Sequence, residues 1–170
     1  MPSPLSVWVV EDDPILGETL SELLTEQQDA LIAAISRDFS NRSADETLLA
    51  ELPPDLPVWT SPLLRCRALA ERLHVRPVID DRLAEMNFGA WEGLRWDDIP
   101  RAELDAWAAD VAGYAPPGGE SPRQLQQRAL DFVASLDVPE AVIVTHAGVI
   151  RTLLAHWQGL PPERWTALNF

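Results

Sequence analysis

The junction Ala141-Val142-Ile143-Val144-Thr145-His146-Ala147-Gly148 limits the possible folds more than any other part of this sequence. Ala141 to Val144 is a short apolar, β-branched run of the kind that forms a buried strand, and Ala147 to Trp157 keeps helical spacing. Strand therefore passes to helix within two residues. The same order recurs earlier: Leu56 to Trp59 predicts a strand, Ser61 suits the N-cap and Pro62 the first position of a following helix, and Arg65 falls about one turn inside it. Strands alternating with helices define an α/β chain.

Chemistry enters at the same junctions. His146 stands where the N–H groups of a helix start point outward, a place that favours anions. Arg82 to Gly93 is too aromatic and too glycine-punctuated for an ordinary loop, and Glu85 lies among apolar neighbours that would raise its pKa toward that of a general acid. Tyr114 to Ser121 is a stiff turn, and Ser121, Pro122 and Gln124 supply an N-cap, a first-position proline and a capping box for the helix Ser121 to Leu136. Arg101 to Val111 is helical by periodicity, and Gly159 closes the helix from Ala147. Pro161-Pro162 open a short last helix.

Together and in order, S-P-L-x-R-C, L-x-E-M-x-F-G-x-W-E-G, E-L-D-A-W, P-P-G-G-E-S and V-T-H-A-G-V-I-R resemble the histidine phosphatase superfamily, the phosphoglycerate-mutase-like group, and most of all its α-ribazole phosphatase branch. The resemblance runs from Leu56 to Phe170. It implies a three-layer α/β sandwich, with helices on both faces of a mostly parallel central sheet, forming one domain over residues 1–170 with residues 1–55 atypical. It also implies a clipped carboxyl end, since relatives usually continue beyond Leu168-Asn169-Phe170 into another strand. Residue by residue, Arg65 matches a phosphate-binding arginine and Glu85 the carboxyl group that protonates the leaving alcohol. His146 matches the histidine that hydrogen-bonds the phosphoryl group and steadies its charge; Ala147 would offer a backbone N–H to the phosphate, and Gly118 to Ser121 would border the leaving group. An intact relative would hydrolyse a small phosphomonoester through a phosphohistidine, without a metal or other cofactor.

The departure is at the front. Family members place Arg-His-Gly or Arg-His-Pro directly after the first strand, and that histidine is the nucleophile. Here Ser6 to Val10 is followed by Glu11-Asp12-Asp13-Pro14, and the other histidines, His74 and His156, belong to helices elsewhere. A carboxylate about 6 Å from a phosphate charge, at an effective dielectric of about 20, repels it by roughly 3 kcal/mol. Losing the nucleophile of a covalent mechanism costs on the order of 10⁶ in turnover. Weak phosphate-ester binding with little turnover is the expectation. Two alternatives remain: a non-enzymatic regulatory or binding relative, and a metal-assisted phosphatase in which Asp12 and Asp13, with Glu11, hold a hard cation such as Mg²⁺. Val7 to Leu16 also resembles the opening of a response-regulator receiver, but the chain has no lysine and Thr60-Ser61 stands where a receiver needs aspartate.

Composition agrees with a globular enzyme-like chain: 46% apolar residues are enough for a core. A net charge of −14 repels nucleic acid and anionic membranes; the family resemblance implies a small phosphorylated molecule as the partner. No apolar run approaches membrane-spanning length and Met1 to Pro4 lacks a basic leader, so cytoplasmic residence is expected. Cys66, the sole cysteine, is expected to be a structural thiol. Leu16, Leu20, Leu23, Leu24, Gln27, Leu31 and Ile35 follow helical spacing, which predicts one long or broken helix from Pro14 to about Ser36. Ser43 to Glu46 is a capping box for a helix to about Leu52, and Trp8, Trp59 and Trp157 are expected in the core.

Overall fold

The computed structural model describes residues 6–11, 32–36 and 55–161, the first two stretches at the level of the backbone. Five parallel strands form one sheet: β1 (Ser6–Glu11), β2 (Ile32–Ser36), β3 (Val58–Thr60), β4 (Val78–Ile79) and β5 (Glu140–Val144), in the order β2-β1-β5-β3-β4. The helices are α1 (Leu64–Leu73), α2 (Arg101–Ala109), α3 (Pro122–Ala134) and α4 (Ala147–Trp157). Single 3-10 turns occur at Asp81–Leu83, Gly89–Trp91 and Trp96–Asp98. The described residues divide into two compact units, one of residues 6–11, 32–36, 55–84 and 135–147, the other of residues 85–134 and 148–161.

The sheet belongs to the first unit. β5 is its central strand because both neighbours saturate its hydrogen bonds, and its last four residues are buried as a strand covered on two sides must be. α1 supplies the interlocking face: Cys66, Leu69, Ala70 and Leu73 recur at helical spacing and pack on Val58, Val142 and Val144. β1 leads to β2 on one side of the sheet, while β3 and β4 lie on the other, with β5 inserted between. Connections that leave a parallel sheet in opposite directions open a crevice at the carboxyl ends of its strands. Val10 pairs with Val144 and Val144 with Thr60, so Glu11, Ser61 and Thr145 are brought to that same edge.

Three expectations change here. Ile32–Ser36 is a strand paired with β1, so no helix runs through to Ser36. Ile-Ala-Ala-Ile-Ser is short enough to satisfy either period, and the open edge of β1 decides in favour of pairing. α1 begins at Leu64, with Leu63 at the N-cap, so Pro62 lies in the turn and Arg65 is the second helical residue instead of one turn in. Among the described tryptophans only Trp91 is buried; Trp59 and Trp157 are half-buried and Trp96 is exposed, because an indole at a sheet or helix margin covers only one face. The side chain of Trp8 and the stretches Pro14 to Leu31, Ser43 to Leu52 and Pro162 to Phe170 lie outside the described residues.

In the second unit, the capping box forms: Gln124 N–H donates to Ser121 Oγ at 3.3 Å and Ser121 N–H to Gln124 Oε1 at 2.8 Å, with Pro122 opening α3. α3 buries Leu125, Ala129 and Phe132 on one face, and α4 buries Val149, Ile150, Leu153, Leu154 and Ala155. Gly159, at φ +63°, ends α4 and lets Leu160 N–H reach Ala155 O at 2.8 Å. The Asn87–Gly89 and Pro116–Glu120 segments run backbone against backbone, with Ala90 N–H on Pro117 O at 2.8 Å and Glu120 N–H on Asn87 O at 2.9 Å. A side chain on Gly89, at φ +55°, would strike Pro117 O and Gly119 N, which is why that loop needs glycine. Trp91 fastens the same region, donating Nε1–H to Glu103 Oε2 at 2.6 Å and stacking on Tyr114.

Candidate active site

His146 lies two residues past the end of β5, after Thr145, and is 1% exposed. Its ring is held from both nitrogens. Arg65, from the first turn of α1, places Nη2 at 2.8 Å from Nδ1, and Ser61, just past β3, places Oγ at 2.7 Å from Nε2. A guanidinium only donates, so Nδ1 must accept and carries no proton in this arrangement. The ring is then the neutral Nε2–H tautomer, and Nε2–H donates to Ser61 Oγ. Ser61 Oγ also accepts from Leu63 N–H at 3.2 Å, which leaves Ser61 in the turn ahead of α1 and not at its cap.

Cys66 is buried as expected of a structural thiol, yet it lies on His146 as well as on the core, with Sγ 3.5 and 3.7 Å from the two ring nitrogens. Its S–H is directed to Thr145 O at 3.5 Å. Thr145 in turn donates its hydroxyl to Leu83 O at 2.7 Å, tying the end of β5 to the 3-10 turn that precedes Glu85. Asp80 caps that turn, accepting from Arg82 N–H at 2.9 Å and gripped by the Arg82 side chain at 2.9 and 2.7 Å. Those Arg82 hydrogen bonds hold the Asp80 carboxyl below the usual aspartate range.

Arg65 and His146 are thus in direct contact, and Ala147 is the first residue of α4, one peptide beyond. In the second unit, Glu85 is half-buried, accepts Met86 N–H at 2.8 Å through Oε1, and sets that oxygen against the Cα of Gly148 in α4. Its main chain is fixed by Arg128, whose Nη2 donates to Glu85 O at 3.1 Å. Arg128 also grips Glu120 at 2.7 and 3.0 Å, and Glu120 Oε1 accepts Asn87 N–H at 3.0 Å. Glu11 ends β1, while Asp12 and Asp13, the proposed cation ligands, lie outside the described residues. Among the described residues, no three His, Cys, Asp or Glu side chains group as a metal site requires, and no helix is long and apolar enough to cross a membrane.

Sequence reasoning missed Ser61 as a partner of His146 and Arg128 as the support of Glu85. Ser61 carried a sufficient local explanation, the cap of a helix, and nothing in a serine's identity points to a histidine 85 positions away. Arg128 sits on a face of α3 that reads as ordinary solvated surface until Glu120 closes on it.

The parallel strands of this α/β fold deliver a histidine and an arginine to one sheet edge. The pattern of the histidine phosphatase superfamily (branch 1) matches residues 17–170, and the chain belongs to that family. It is 34% identical over 117 residues, 60% of this chain and 51% of the relative, to glucosyl-3-phosphoglycerate phosphatase of Mycolicibacterium vanbaalenii. It is 30% identical over 118 residues, 59% of this chain and 58% of the relative, to adenosylcobalamin/alpha-ribazole phosphatase of Escherichia coli. The chain spans about half the length of the mycobacterial relative it matches. Among solved structures, a mutant of the Thermus thermophilus protein TTHB049 superposes with a TM-score of 0.62 at 31% identity, covering 92% of this chain and 85% of that one. The fold is accordingly a phosphoglycerate-mutase-like α/β sandwich.

Proposed function

We propose that this chain binds the phosphoryl group of a small phosphomonoester at the carboxyl edge of the sheet and turns it over weakly or not at all. Arg65, His146 and the Ala147 N–H take the phosphate, and Glu85 has the role of proton donor to the leaving alcohol that its match to the family motif gives it. The observation that carries this reading is the 2.8 Å contact between Arg65 and His146 where β5 ends. The Arg65 guanidinium supplies planar donors of the kind that grip phosphate, the His146 imidazole beside it can donate once it takes up a second proton, and the start of α4 adds a favourable dipole.

Weak turnover follows from Glu11, which occupies the end of β1 where the family sets its arginine and nucleophilic histidine. Calorimetric titration with inorganic phosphate and vanadate tests binding: heat is expected from the wild type and lost in Arg65→Ala. Hydrolysis of p-nitrophenyl phosphate is expected to be slow and indifferent to chelator. A fast rate abolished by His146→Ala would overturn the impaired-enzyme reading, and absence of any phosphate or vanadate binding would overturn the binding reading. Heat on adding Mg²⁺ that disappears in Asp12→Asn/Asp13→Asn would instead favour metal-assisted chemistry.

A further inference from the structure

The imidazole of His146 is neutral in this arrangement, and neither of its nitrogens can donate to an anion as it stands. Nε2–H is engaged by Ser61 Oγ at 2.7 Å, and Nδ1, facing the donor-only Arg65 Nη2 at 2.8 Å, has no proton. An oxyanion is an acceptor and a bare ring nitrogen is another, so the two cannot bond until a proton stands between them. Once Nδ1 is protonated it no longer accepts from the guanidinium, and the Arg65 N–H that met it turns to the anion. Arg65 is exposed and can make that turn, while His146 is buried and held in place.

We propose that an oxyanion binding here takes up one proton from solvent at His146 Nδ1, so that guanidinium and imidazolium together face a doubly charged anion, a coupling that rests on the phosphate-binding reading above. The groups around the ring offer the proton no nearer source. α1 brings Arg65, which stays charged, and Cys66, whose S–H is directed to Thr145 O at 3.5 Å. Ser61 follows β3 and Thr145 follows β5, neither of them titratable, and α4 has no acidic residue in its first turn. Asp80 and Arg82 are paired with each other, next to the 3-10 turn that Thr145 holds through Leu83 O. Glu11 stands at the end of β1, one residue past the Val10–Val144 pair, where a carboxylate favours the charged ring and opposes the anion. Because the bound ring holds one proton more than the free ring, affinity falls about tenfold per unit rise in pH wherever the free ring is neutral and the bound ring charged.

Sulfate is the probe, since it has the shape and charge of a phosphate dianion and does not itself titrate near neutrality. Calorimetric titration of the whole chain with sulfate at neutral pH, repeated in buffers of different ionisation heat, counts the protons taken up. Close to one per sulfate is expected, with affinity falling as pH rises; in His146→Gln the uptake should vanish while Arg65 keeps weaker binding. A nitrogen-15 spectrum of the histidine rings gives a readout that needs no variant: on adding sulfate, one ring should pass from one protonated nitrogen to two. Sulfate binding whose heat is the same in every buffer would overturn the coupling and leave the binding reading standing. Uptake of the same size in His146→Gln, or uptake during which no ring gains a proton, would overturn its assignment to His146. Absence of binding by sulfate and phosphate alike would overturn the binding reading, and the coupling with it.

Discussion

Replacing Gly148 by alanine separates the stability of α4 from the placement of Glu85, because the only hard obstacle to a methyl group there is the end of the Glu85 side chain. The next nearest atoms, Glu85 Cδ at 3.4 Å and Leu125 Cδ2 at 3.5 Å, are in ordinary contact. A glutamate carboxylate can swing aside, but in doing so it surrenders the 2.8 Å bond from Met86 N–H. A hydrogen bond to a charged acceptor contributes about 1.5–3 kcal/mol, toward the lower end at a half-buried site where water can take over. Alanine in place of glycine returns about 0.5–1 kcal/mol through helix propensity. The net loss expected for Gly148→Ala is therefore about 0.5–2 kcal/mol, read as a fall of under about 1 M in the urea midpoint at an m of about 2 kcal/mol/M. In a Glu85→Ala background the obstacle is gone, so the same substitution should stabilise by about 0.5–1 kcal/mol. Gly89→Ala is the contrast: its φ of +55° and the backbone of Pro117 and Gly119 leave nothing able to yield, and about 3 kcal/mol or more should be lost. If Gly148→Ala proves as damaging as Gly89→Ala, or still destabilises without Glu85, the compliance reasoned here does not exist.

Other substitutions test the two units separately. Leu69→Ala, at the centre of the α1 face packed on Val58 and Val142, should cost about 2–5 kcal/mol in urea unfolding, and a loss below about 1 kcal/mol would deny that this face forms the core. Arg128→Met strands the Glu120 carboxylate, 18% exposed, and should cost about 2–4 kcal/mol, of which Arg128→Met/Glu120→Gln recovers part; equal losses in the single and double variants would contradict the pairing. Asp80 has its folded pKa lowered by Arg82, so its contribution is present above the unfolded value near about 3.9 and disappears as pH falls through the folded one. Asp80→Asn should accordingly flatten the acid limb of stability below about pH 4 and leave the neutral plateau lower; an unchanged limb would rule the pair out as a contributor.

Elements whose local chemistry is self-sufficient could be read directly from the order of residues. β5 was legible as an unbroken β-branched run, α4 from its period and its closing Gly159, and α3 from a capping box whose partners lie within one turn. Arg65 and His146 were singled out by the family resemblance of the segments that hold them, and the fold brings the two side chains into contact at 2.8 Å. Whatever depends on a partner distant in the chain was settled only when the chain folded. Ile32–Ser36 became a strand because β1 offered an unpaired edge, and Ser61 left its cap because His146 presented a ring N–H to it. Arg128 turned from a surface cation into the brace of Glu85 once Glu120 met it. Periodicity and capping act over a few residues, whereas a hydrogen-bond donor is committed only when folding fixes which acceptor remains within reach.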